Sequence, residues 1–136
     1  MEFKTTTLEA AYAALGETRF EIPSSPGLPE EKRIYLQAQL DLPVFIEAIN
    51  MESNGGKKWL PDYTNNQETK YEPWFWIKKS DTHPSGFVFS RTDYDYSGTY
   101  AYCGSRFAFH SVNAWQHAMN TPAVIDLFLT VWAKKD

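Results

Sequence analysis

A chain of 136 residues is long enough to bury most of the surface its unfolded form exposes and too short for two independent cores, so 1–136 reads as one domain. Hydrophobic residues at 43% and charged residues at 22% sit near globular averages, which argues against a disordered chain, and no apolar run approaches the ~20 residues of a membrane-spanning helix. The net charge of −4 offers phosphate backbones no general attraction, which disfavours non-specific nucleic-acid binding.

The opening Met1-Glu2-Phe3-Lys4-Thr5 lacks the basic and then apolar pattern of a secretory signal, and the lone Cys103 cannot form an internal disulfide. A cytoplasmic location without membrane attachment is the resulting expectation. The composition is skewed in one respect, an aromatic share of 16%. Aromatic side chains build cores but are also enriched at protein interfaces and on base-stacking platforms, so this skew is the main compositional clue to function.

In chain order, Thr6 with Glu9 three residues later forms a capping box, and Leu8, Ala11, Tyr12 and Leu15 recur at helical spacing before Gly16. Two prolines and a glycine make 21–27 a connecting loop. Pro29 at a first helical position, with Glu30 and Glu31 at the positive end of the helix dipole, opens a second helix that should carry Leu36 and Leu40 inward as far as Pro43. After a kink, or in a new helix, Phe45, Ala48 and Ile49 continue the stripe until Ser53-Asn54-Gly55-Gly56 ends it. Residues 1–56 are thus mainly helical, while 57–70, polar but anchored by Trp59 and Tyr63, form an ordered loop.

Three β-rich segments come next, Tyr71 to Lys79, Gly86 to Thr92 and Tyr100 to His110, with connections short enough to imply an antiparallel sheet over 71–110. Phe87 and Phe89 alternate with Val88 and Ser90, and Phe107 and Phe109 with Arg106, Ala108 and His110, so one sheet face carries phenylalanines for helices to cover. Pro73 suits the start or the outer edge of its strand. In 111–136, Ser111 caps a helix holding Trp115 and Ala118, and Thr121-Pro122 restarts or kinks it. Ile125, Phe128, Leu129 and Trp132 then form a helical stripe ending in Lys134 and Lys135. The expected fold is α+β, an antiparallel β-meander of about three strands packed on one face by N-terminal helices and a C-terminal helix.

The run Trp59-Leu60-Pro61-Asp62-Tyr63, then Asn66, Lys70-Tyr71 and Pro73-Trp74-Phe75, with the later Gly104-Ser105-Arg106-Phe107 and Phe109 through Ser111, resembles small uncharacterised proteins of bacteriophages and prophage-like elements of gut bacteria. Leu28-Pro29-Glu30-Glu31 fits the same pattern, whereas Asn120-Thr121-Pro122 departs from it where relatives keep an uninterrupted helix. That family has no established activity. What the resemblance implies is an accessory protein of the host cell cytoplasm that binds or modulates a partner.

Candidate chemistry is sparse. Cys103, His110 and His117 offer soft ligands, but the tight local pairs of a zinc site are missing, so no metal and no cofactor are expected. Asp93 and Asp95, two apart, fit a divalent cation or an acid–base pair, and with His110 a small metal-dependent hydrolase; in a hairpin loop they fit turn hydrogen bonds as well. Asp62, Asn65 and Asn66 present oxygens for calcium, yet lack the glycine and glutamate of an EF-hand loop and fit Asx turns. Gly104-Ser105-Arg106 fits an anion-binding turn or a β-bulge, while Arg91 and Arg106 reach either a phosphate or the carboxylates of Glu72, Asp93 and Asp95. With no Walker A loop, dinucleotide fingerprint, G-x-S-x-G elbow or H-E-x-x-H pair, the chain is not expected to be an enzyme.

The segment Trp74-Phe75-Trp76-Ile77 is apolar on both faces of a strand, so its tryptophans need cover from the Trp59 to Tyr63 loop, from an N-terminal helix or from a partner. The expected role is protein–protein interaction or self-association through an aromatic surface of Trp59, Tyr63, Trp74, Trp76, Arg91 and Arg106. Single-stranded nucleic acid stacking on the same rings, with charge from Lys70, Lys78, Lys79 and Arg91, is the alternative.

Overall fold

The computed structural model describes residues 2–65, 67–82, 87–97 and 107–132, with the side chains of 74–77 and 87–97 left aside. These residues form helices α1 (Leu8–Leu15) and α2 (Glu30–Ser53), strands β1 (Lys70–Lys79) and β2 (Phe87–Ser97), and helices α3 (Val112–Met119) and α4 (Pro122–Trp132).

Helix α1 starts one residue later than the capping box implies. Thr7, in extended backbone, accepts the Ala10 N–H at 3.1 Å, and Gly16 at φ 67° stops the helix in a conformation that a side chain would strain. Its buried Ala11 and Tyr12 belong to the layer packed on α2.

Helix α2 runs for 24 residues through Pro43, neither splitting nor ending there. An interior proline costs about 3 kcal/mol through its missing N–H and its ring. Leu42, Phe45, Ile46 and Ile49, all fully buried next to it, recover about 1.5–3 kcal/mol each, so tertiary packing outweighs the breaker. This second half of α2 meets α1, α3 and α4 and forms the centre of the core with Phe109, Ala114, Ala118, Val124 and Phe128.

The expected meander is not what forms: the described residues are helix-dominated, with one antiparallel pair of strands running from Lys70 opposite Ser97 to Lys79 opposite Phe87 and an irregularity between Trp76 and Ile77. Strand β2 reaches Ser97, so Asp93 and Asp95 are strand residues opposite Trp74 and Glu72 and not loop residues. Of the third expected strand, 100–106 lie outside the described residues. Its remaining segment, 107–110, makes a single bridge to β1, Tyr71 N–H to Phe109 C=O at 3.2 Å and Phe109 N–H to Tyr71 C=O at 2.7 Å.

Proline explains why that bridge does not lengthen. Tyr71 directs both backbone groups to Phe109, away from β2, and by alternation Pro73 has its nitrogen on the same outer edge, where the next ladder bond lacks a donor. Residues 107–110 are held by helices instead. The Phe107 ring lies edge-on to Phe128 and Trp132 at 6.1 and 5.4 Å between centroids, and the buried Asn50 amide of α2 donates to Ala108 C=O at 2.9 Å and accepts His110 N–H at 2.8 Å. Asn50 thereby stands in for a neighbouring strand.

Ser111 Oγ accepts the Ala114 N–H at 3.1 Å and caps α3 as expected. Thr121, buried, donates its hydroxyl to the His117 carbonyl at 2.7 Å, and Pro122 then opens a separate helix α4.

Candidate functional site

The aromatic loop is built around a lysine. Lys70 is 0% exposed, and its Nζ donates to the carbonyls of Asn65 and Glu68, each at 3.0 Å, with Glu68 Oε1 at 3.5 Å and the Tyr63 ring centroid at 5.3 Å. Asp62 Oδ1 accepts from Thr64 N–H at 3.0 Å and Asn65 Oδ1 from Gln67 N–H at 3.0 Å, so both serve Asx turns and not a calcium site; Asn66 lies outside the described residues. Burial of Lys70 also removes it from any charged strip along which a nucleic acid would lie.

Within this loop Trp59 is half-buried, its ring edge-on to His110 at 5.4 Å between centroids, and half-buried Tyr63 donates to Glu72 Oε1 at 3.4 Å. Leu60 between them is exposed. Lys58 pairs with the buried Glu47 of α2 at 3.1 Å, outside hydrogen-bond geometry, and so ties the loop's start to that helix.

Trp74 and Trp76 take backbone positions in β1 opposite Asp93 and Arg91; the side chains of these four, and that of Asp95, lie outside what is described. Arg106, Gly104, Ser105 and Cys103 fall there entirely. His110 does not meet His117: its Nδ1 is 2.8 Å from Ser53 Oγ, which is 2.6 Å from Ser111 Oγ, whereas His117 Nε2 donates to the Thr5 carbonyl. Among the described residues no three His, Cys, Asp or Glu side chains come close enough to hold a metal, and no helix is long and apolar enough to cross a membrane.

The largest departure from the sequence reading is on α2. Leu36 and Leu40, expected inward, are 39% and 45% exposed, and the inward positions go to Gln37 and Asp41. Asp41, 2% exposed, accepts from Tyr12 OH at 2.7 Å, Arg19 Nε at 3.1 Å and Arg19 Nη2 at 2.8 Å. Gln37 donates to the Phe20 carbonyl at 3.0 Å and accepts Ile22 N–H at 2.8 Å. Burial first, then the bond to Asp41, pushes the Tyr12 phenol above its ordinary range.

The network therefore straps segment 19–22 onto α2 and leaves the Phe20 side chain 66% exposed. Arg19 and Arg33 line two shallow clefts of about 530 and 270 Å³, but Arg19 is paired with Asp41 and Glu21 and Arg33 with Glu30, so neither is a bare anion site. Sequence periodicity missed this arrangement, because the groups that draw Asp41 inward, Tyr12 and Arg19, lie far from it along the chain.

A second unforeseen group is Glu52, which accepts Lys4 N–H at 2.5 Å, Thr5 N–H at 3.0 Å and the Thr5 hydroxyl at 2.7 Å. Burial alone would raise its carboxyl, but those three bonds and the nearby His117 hold it below the usual carboxylate range. A depressed pKa contributes stability above the ordinary value of 4.5 that is lost as pH falls through the folded value. Glu52→Gln should remove this acid dependence and cost about 1–2 kcal/mol, read by urea melts at pH 7 and pH 4. Equal slopes with pH in both proteins would refute it.

No family model, curated protein or solved structure matches this chain.

Proposed function

We propose that the chain acts without catalysis, by protein–protein interaction or self-association through an apolar and aromatic surface, as an accessory protein of the phage and prophage type that its motifs resemble. Leu36 and Leu40 support this reading most directly: they stand one helical turn apart on the outside of α2 while Gln37 and Asp41 beside them are buried. A helix that turns leucines to water and buries an aspartate retains an apolar face for something else to cover. Exposed Phe20 and Leu60 and half-buried Trp59 extend the apolar character of the surface.

Leu36→Lys with Leu40→Lys tests it, because neither side chain belongs to the core cluster. In light scattering and in capture from host-cell extract, the unaltered chain should form a defined oligomer or retain a partner, and the double variant should lose that affinity by about tenfold or more at an unchanged melting midpoint. A strictly monomeric chain that retains nothing ends this reading.

A further inference from the structure

The face of α3 turned from the core is made of carboxamides. Asn113, Gln116, His117 and the C-cap Asn120 recur at i, i+3, i+4 and i+7, and with Glu2 and Phe3 they line a shallow, open cleft of about 390 Å³. Phe3 stacks on His117 with centroids 4.7 Å apart and planes 11° from parallel. That stack is fixed from behind: His117 Nε2 donates to the Thr5 carbonyl, and Glu52 holds the backbone of Lys4 and Thr5.

The rest of the lining is uncommitted. The side chains of Glu2, Asn113 and Gln116 make no hydrogen bond among the described residues, and Asn120 uses only its Nδ2, on the Gln116 carbonyl at 2.9 Å. A rigid aromatic pair beside amides that offer both donors and acceptors suits a planar heterocycle with a mixed hydrogen-bonding edge. None of the six lining residues is lysine or arginine, and Glu2 adds a negative charge, so a phosphate has no counter-ion here.

We propose that this cleft takes an uncharged nucleobase, as the free base or a nucleoside, against the Phe3–His117 pair, with the Asn113 and Gln116 carboxamides on its edge. The lining shares no residue with the α2 surface, and the proposal stands or falls independently of it. A base within a single-stranded oligonucleotide has the same chemistry, but its phosphates meet an acidic chain of net charge −4.

The test is NMR titration of the intact chain with adenosine, guanosine, cytidine and uridine, and separately with a short mixed-sequence oligonucleotide. At least one nucleoside should shift the His117 and Phe3 ring resonances saturably by about 5 mM. Asn113→Ala with Gln116→Ala should weaken that binding about fivefold at an unchanged melting midpoint, since both side chains are exposed and unbonded. No ring shift with any nucleoside, or the same affinity in the double variant, overturns the proposal. Tighter binding of the oligonucleotide than of any nucleoside also overturns it.

Discussion

Asp41→Ala should lower stability by about 3 kcal/mol, the low end of the range for breaking a buried ion pair, because the carboxylate is buried while 35% of the Arg19 side chain is exposed. At this chain length that corresponds to a fall in the melting midpoint of roughly 10 °C or more. The cost arises from what the substitution leaves behind. The buried Tyr12 OH loses its acceptor at 2.7 Å, and the Arg19 guanidinium loses both of its bonds to the carboxylate and keeps only Glu21, which loosens the hold of segment 19–22 on α2. Asp41→Asn keeps an acceptor for Tyr12 and should cost less than alanine. A loss below about 1 kcal/mol for Asp41→Ala would mean that the network is not a structural centre.

The same network has an alkaline signature. The folded Tyr12 phenol titrates above its ordinary value of 10.0, so the unfolded chain ionises first. Its contribution is complete below pH 10.0 and falls as pH rises towards the folded value, and the stability difference between the native chain and Tyr12→Phe should shrink in that window.

Groups whose partners are close in sequence were legible. Gly16 as a stop, Ser111 as a cap and the Asx turns at Asp62 and Asn65 all derive from chemistry within a few residues, and the structure has them, while of the restart or kink open at Pro122 it has the restart. The facing of α2 was not legible, because it depends on partners far along the chain: Tyr12 lies 29 residues from Asp41 and Arg19 lies 22. Hydrophobic periodicity assigns leucine inward by default, and a buried aspartate reverses that only when a specific arginine arrives. The meander failed for a related reason. Alternating Phe107 and Phe109 describe a strand as well as they describe a connector, and the missing donor at Pro73 decides between them only once Phe109 is known to pair with Tyr71.

Lys70→Met should be the second most damaging single change, although it conserves volume. With a thioether in place of the ammonium, the Glu68 carbonyl loses its donor, the Asn65 carbonyl keeps only the long Glu68 N–H contact at 3.4 Å, and Glu68 Oε1 keeps only the Asp62 N–H at 2.8 Å. One orphaned carbonyl, one weakened carbonyl and a lost ion contact sum to more than the expected loss, but both carbonyls lie in a loop that can open and hydrate. The free energy of opening caps the penalty at about 2–3 kcal/mol. Hydrogen exchange should therefore separate the two halves of the molecule: amides of Asp62, Thr64, Gln67 and Glu68, which are bonded inside the loop, should exchange faster, while those of α2 and α4 keep most of their protection. Uniform acceleration through the helices would show that Lys70 supports the core and not the loop. Because the loop also positions Trp59, Leu60 and Tyr63, the variant bears on function as well. If those side chains belong to the binding surface, Lys70→Met weakens partner capture without altering any exposed contact, whereas loss confined to the Leu36 and Leu40 variant places the surface on α2 alone.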